Sequence, residues 1–201
     1  MSIRTYYRKV KNLTFNKLIT LFLRRIRIVK YRLLSNCKDV TGEATFNTPV
    51  LINGLGKVQF GNNIHLGAYG SPMFFSTYIY IEARNPSSII VVEDNVYMNN
   101  NACIISEGEG IYIEKDVLIG PNFNVYDSDF HDLNPLKRHS GSPKTKKVII
   151  RKNVFIGSNV TILKGVEIGE NSVIASGSVV TKSIDKNVIA GGNPCKVLKS
   201  L

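Results

Sequence analysis

One short stretch, Tyr126-Asp-Ser-Asp-Phe-His-Asp-Leu-Asn-Pro-Leu-Lys-Arg-His139, holds two of the chain's three histidines and three aspartates. An imidazole titrating near ~6.5 suits the removal of a proton from a weak nucleophile such as a hydroxyl. His131 is the candidate base. A neighbouring carboxylate could fix its tautomer and stabilise the imidazolium. Asp127, Asp129 and Asp132 all lie within local reach, and a backbone carbonyl would orient the ring equally well. Arg138 and His139 follow on the same stretch, and His65 stands far away in sequence. The chemistry on offer is proton abstraction from a polar acceptor.

The elements that must position His131 show themselves by a beat. A branched apolar residue recurs every six positions at Ile150, Ile156, Ile162, Ile168, Ile174 and Val180, and earlier at Ile113, Ile119 and Val125. Between Val125 and Val148 the beat is absent for 22 residues. It also runs through Val92, Met98 and Ile104, and begins near Phe60 and Leu66 before an irregular stretch with Pro72 and Pro86. Ser106 to Gly110 adds a small bulge. The residue four after each beat is mostly apolar or small (Val96, Ala102, Val117, Phe123, Val154, Val160, Val166, Ser172, Ser178, Ile184). Six residues hold a short strand and a turn, and positions i and i+4 then face one side. Gly and Asn at the turns tolerate left-handed backbone. Such self-similarity predicts a parallel β-helix with three hexapeptides per coil and a stacked apolar interior. Long excursions from such a scaffold commonly carry function.

The net charge of +11 is unevenly placed: residues 1–38 hold eleven Lys or Arg and no acid, leaving fifteen of each sign in 39–201. A neutral body with a basic arm argues against a nucleic-acid binder. Residues 12–34 read as an amphipathic helix whose stripe is Phe15, Leu18, Ile19, Phe22, Ile26, Val29 and Leu33, with Lys11, Lys17, Arg24, Arg25 and Arg32 largely off it. Two readings stand. The stripe packs on the body or a partner subunit, or it lies on an anionic membrane, where each basic residue contributes about 1 kcal/mol. No apolar run is long enough to span a bilayer and no secretory leader is evident. Cys37, Cys103 and Cys195 fall at unrelated spacings, which suggests neither a disulfide framework nor a zinc site and fits a reducing cytoplasm.

The run from Val154-Phe-Ile-Gly-Ser-Asn through Ser178-Val-Val-Thr-Lys182, followed by Ala190-Gly-Gly-Asn-Pro-Cys-Lys196, resembles the hexapeptide-repeat acyltransferases. Within them the galactoside, maltose and surface-polysaccharide O-acetyltransferases are the nearest in pattern, over residues 92–199. The resemblance implies a mainly β, left-handed parallel β-helix over residues 41–201, with a protruding loop at 126–147 and a basic N-terminal helical arm over 1–40. It further implies a homotrimer with acetyl-CoA between neighbouring prisms, and no metal.

Carried over residue by residue, the resemblance makes His131 the catalytic base. Asn99, Asn101 and Glu107 would contact a sugar or glycan acceptor, with Arg138 beside it; Glu107 stands where the family usually has aspartate. Phe155, Gly157, Ala175, Thr181, Lys182 and Lys196 would hold the cofactor, the lysines meeting its phosphates. The expected function is transfer of acetyl from acetyl-CoA to a sugar hydroxyl, in cell-surface polysaccharide synthesis, in the cytoplasm and peripherally at the inner face of the plasma membrane through residues 1–38. Alternatives are an antibiotic, serine or amino-sugar acceptor, or a solenoid that binds glycans without modifying them. A zinc enzyme would need three converging histidines, and two of the three share one loop.

Overall fold

The computed structural model describes residues 15–201. Lys11 and the expected first turn of the arm, residues 12–14, lie outside the described residues. One helix, α1 (Phe15–Leu34), precedes three sheets. The first sheet stacks Asp39–Thr41, Lys57–Phe60, Ile89–Val92, Ile111–Ile113, Val148–Ile150 and Glu167–Ile168. The second runs from Ala44–Phe46 through Ile64–Leu66, Tyr97–Met98, Leu118–Ile119, Phe155–Ile156 and Val173–Ile174 to Val188–Gly192 and Cys195–Ser200. The third stacks Val50–Gly54, Ile79–Ala83, Cys103–Ser106, Asn124–Tyr126, Thr161–Ile162 and Val179–Val180. The chain visits the three sheets in turn, coil after coil, and every pairing between these strands is parallel except the terminal hairpin of Val188–Gly192 with Cys195–Ser200. The result is a triangular prism.

The six-residue beat becomes the prism's interior. Ile52, Ile81, Ile104, Val125, Ile162 and Val180 stack in register along the third sheet. Leu66, Met98, Ile119, Ile156, Ile174 and Ala190 do so along the second. All are buried. The column continues through the stretch that looked irregular: Ile79, Ile81, Ile90 and Val92 are fully buried, so a coil passes through it, displaced only by an excursion over residues 67–78. A two-residue strand contributes one inward side chain, and only the stack of coils makes a core of them.

The edges are set by backbone conformation. Between the first and second sheets, Asn63, Asn95, Asp116, Asn153, Asn171 and Asn187 all have φ between 56° and 62°. Their side chains link coil to coil, as in Asn153 Nδ2 to Asn171 Oδ1 at 2.9 Å and Asn171 Nδ2 to Asn187 Oδ1 at 2.8 Å. Asparagine tolerates the left-handed region and its amide both donates and accepts, so it suits a ladder. At the far end Ser172 and Ser178 replace apolar residues in the interior. Their hydroxyls donate to Asp185 O and Ala175 O and accept from Val188 N and Gly192 N, tying down the closing hairpin.

Candidate active site

The loop carrying His131 leaves the edge between the third and first sheets directly after Tyr126. Its root is closed by an antiparallel bridge between Ser128 and Thr145, with Asp129 N donating to Lys144 O at 3.1 Å and Lys146 N to Asp127 O at 2.8 Å. Beneath that root lies Asp127, fully buried. Its carboxylate accepts from Ser106 Oγ at 2.7 Å, Glu107 N at 2.7 Å, Gly108 N at 3.2 Å and Gly110 N at 2.8 Å. Four donors offset the cost of burying the charge and weld the loop root to the Ser106–Gly110 bulge.

The three aspartates around His131 therefore have separate roles. Asp127, expected as a partner for the imidazole, has both oxygens committed to the bulge, and that expectation is corrected. Asp132 accepts from Asn134 N at 2.8 Å and serves the loop tip, where Asn134 caps a short 3-10 turn at Pro135–Lys137. Asp129 meets Lys164 Nζ at 3.2 Å through Oδ1, while its Oδ2 is buried with no hydrogen-bond partner within the chain. A buried carboxylate oxygen without a donor is costly and calls for a function. Of the three, only Asp129 has an oxygen that is both buried and without a donor among the described residues.

Sequence reasoning missed the brace beside the loop. Phe130 has φ 61°, a left-handed conformation that is strained for a bulky side chain and costs on the order of 1–3 kcal/mol. Ser128 Oγ holds it by accepting from Phe130 N at 2.9 Å, and that hydroxyl in turn donates to Glu107. The Phe130 ring meets Tyr126 edge-on, with centroids 5.4 Å apart, and the Arg84 guanidinium lies 5.0 Å from it. Arg84 also pairs with Glu82 at 3.0 Å and Glu107 at 3.3 Å. Next to this turn His131 is left exposed. The available signal was the alternation Tyr80, Glu82, Arg84 around buried Ile81 and Ala83, which puts the polar set on the prism's outer surface.

The expected acceptor residues do not converge within one chain. Glu107 belongs to the brace, with one oxygen on Arg84 and the other on Ser128. Asn101, φ 62°, is a rung of a second ladder, donating to Asn122 at 2.8 Å, as Asn122 does to Asn159 at 2.7 Å. Asn99 stands at that same edge, between the second and third sheets, and donates to Ser71 Oγ at 3.1 Å. Arg138 and His139 are exposed on the loop tip. His65 Nε2 donates to Asn63 Oδ1 at 2.9 Å, and the ring stacks on Tyr97.

The expected cofactor residues fall into two groups. Phe155, Gly157 and Ala175 gather on the second sheet and the edge that follows it. A Cβ on Gly157 would come within 2.6 Å of Ser176 N, so only glycine permits this stacking. Phe155, Leu118, Tyr97, His65 and Asn99 line a shallow groove of about 220 Å³ there. Lys196 lies in the closing hairpin, paired with Gly191, beside Ala175. Thr181 and Lys182 follow Val180 on the other edge, the one from which the His131 loop emerges. Burial pushes the Cys103 and Cys195 thiols up, which disfavours the thiolate a nucleophile would need. Burial, with Cys103 beside it, raises the Tyr126 hydroxyl to about 12. No cluster of His, Cys, Asp and Glu set to hold a metal occurs among the described residues.

Repeats of this kind define a class. Residues 147–182 match the family described as bacterial transferase hexapeptide (six repeats), and the prism is the left-handed parallel β-helix of that class. Over those residues the chain carries hexapeptide repeats, and it is similar to galactoside and maltose O-acetyltransferases. A galactoside O-acetyltransferase of Lactococcus lactis is 41% identical over 106 residues, 53% of this chain and 50% of that protein. A maltose O-acetyltransferase from Clostridium difficile superposes with a TM-score of 0.53 at 25% identity, over 96% of this chain and 87% of the other. An N-acyltransferase from Bacillus cereus, solved in complex with dTDP and coenzyme A, shares the fold with a TM-score of 0.63 at 20% identity, over 82% of this chain and 83% of that one. The chain spans about half the length of the curated relatives it matches.

Proposed function

We propose that the chain is a CoA-dependent O-acetyltransferase that moves acetyl from acetyl-CoA to a sugar hydroxyl, with a cell-surface polysaccharide or its precursor as acceptor. The observation that carries this reading is His131, exposed on a braced loop two residues from a buried, unclaimed oxygen of Asp129. In the proposed reaction the imidazole takes the hydroxyl proton as the sugar oxygen attacks the thioester carbonyl. The tetrahedral centre collapses, the C–S bond breaks, and the proton passes to the departing thiolate. Asp129 steadies the imidazolium. The galactoside and maltose enzymes among the relatives motivate the sugar acceptor.

The two edges support an assembly of three chains. His131, Thr181 and Lys182 share one edge; Asn99, Gly157 and Ala175 share another, with Phe155 on the second sheet beside it. A ring of three prisms would set one edge of each against the other edge of the next and complete three sites. Three cysteines unpaired within the chain fit a reducing, cytoplasmic setting.

Labelled acetyl-CoA incubated with sugars, nucleotide-sugars and lipid-linked glycans, followed by mass analysis, tests the activity. His131→Ala should lower kcat at least ~100-fold with CoA binding retained. Full activity in that variant sinks the mechanism. Absence of thermal protection by saturating CoA would favour a glycan-binding solenoid instead.

A further inference from the structure

The helix α1 is attached by the side that periodicity assigned to solvent. Arg24 donates to Asn47 O at 2.8 Å and Asn47 Oδ1 at 3.1 Å, and Arg27 donates to Phe74 O at 2.9 Å and Thr77 O at 2.6 Å. Tyr31 packs on Tyr78 with ring centroids 4.6 Å apart. Positions 24, 27 and 31 form one helical face, and that face meets the prism. The opposite face carries Phe15, Leu18, Phe22, Ile26, Val29 and Leu33, and no residue of the helix is buried. Phe22 is 65% exposed and Leu33 80%. The expectation that the stripe packs on the chain's own body is therefore corrected.

Something covers a six-residue apolar stripe of this size. The charges choose the occupant. At 100° per residue, Arg25 falls on one flank of the stripe and Lys30 on the other. Residues 1–38 contain no acid, and no helix residue joins an ion pair among the described residues. Pairing two copies of α1 stripe to stripe would set like charges against each other. The remainder of the chain is balanced at fifteen acids and fifteen bases, so it offers no net attraction. An anionic lipid surface supplies both an apolar layer and negative headgroups. Among the described residues no helix is long and apolar enough to cross a membrane, so the helix would lie flat.

We propose that the outward stripe of α1 inserts into the surface of an anionic bilayer, with Arg24 and Arg27 fastening the prism to its inner side. The inference stands apart from the acetyltransferase reading. Its test is sedimentation of the full chain with phosphatidylcholine vesicles, with and without phosphatidylglycerol. The protein should pellet with the anionic vesicles, and added salt should weaken the association. Phe22→Asp with Ile26→Asp should abolish pelleting while melting temperature and oligomeric state stay unchanged, because both side chains are exposed. Arg25→Glu or Lys30→Glu should each weaken binding roughly five-fold or more. Equal pelleting with neutral vesicles would overturn the proposal. So would unchanged binding by the stripe variant, or loss of oligomer in it, which would place the stripe between copies of the chain.

Discussion

The prism has two excursions, at residues 67–78 and 127–147, and each is fastened by one fully buried polar side chain. Under the first lies Asn100: its Oδ1 accepts from Ala68 N at 3.0 Å, and its Nδ2 donates to Ala68 O at 3.0 Å and Pro72 O at 2.9 Å. Under the second lies Asp127, which accepts from four donors and has nothing to donate. The backbone decides which is needed. The 67–78 excursion presents both carbonyls and an N–H, and an amide satisfies both kinds. The Ser106–Gly110 bulge presents a nest of donors, and only a carboxylate answers all of them. A repeat interrupted by a loop keeps its core where the lost apolar contact is replaced by a matched polar one.

Exchanging the anchors should break this comparison. Asp127→Ala leaves four donors, two of them fully buried, without an acceptor and should cost on the order of 4 kcal/mol in denaturant unfolding, with rapid proteolysis inside 127–147. Asp127→Asn should recover only part of that, because its NH2 would face other donors; wild-type stability in this variant would show that charge is irrelevant at the anchor. Asn100→Asp should lose about 2–3 kcal/mol by setting a carboxylate against the Ala68 and Pro72 carbonyls, and cleavage should then appear in 67–78 rather than 127–147. A smaller effect, about 1 kcal/mol, is expected for Asn122→Ala, and roughly half of it for Asn122→Gly, which keeps the left-handed backbone but not the ladder bonds. Equal losses would put the whole effect in those bonds.

The mildest probe is chemical. Burial raises the Cys103 thiol, so in the native protein alkylation should be slow at neutral pH and accelerate only as pH climbs beyond the usual thiol range. Tyr126 links Cys103 to the Phe130 turn, so faster labelling in Asp127→Ala would report an unseated loop. Unchanged labelling there would mean that the root holds without its anchor.

Periodicity exposed what repeats and concealed what does not. Ile113, Ile119 and Val125 could be placed in the interior because period-two alternation leaves them no other side. The coil through Ile81 and Ile90 was obscured because the 67–78 excursion shifts the count. Asp127 and Asp129 looked equivalent in sequence, and only their surroundings separate a welded carboxylate from an available one. Asn101 reads identically as a sugar ligand or a ladder rung until its φ is known. The docking side of α1 was hidden because Arg24 and Arg27 bind carbonyls, an attachment that hydrophobic patterning does not register. His131 stood out because it sits in a 22-residue gap in the beat that holds two of the three histidines.

The register of the third sheet has a metric consequence. Val125, Ile162 and Val180 are successive layers of one column, so the root of the His131 loop and the Thr181-Lys182 step are two layers apart, roughly 10 Å along the prism axis. That separation is quantised. An inserted or deleted coil would shift it by a full strand spacing of about 4.8 Å while leaving every side chain facing as before. The solenoid is in this sense a ruler, and the reach of any molecule bridging those two points is specified by a count of coils.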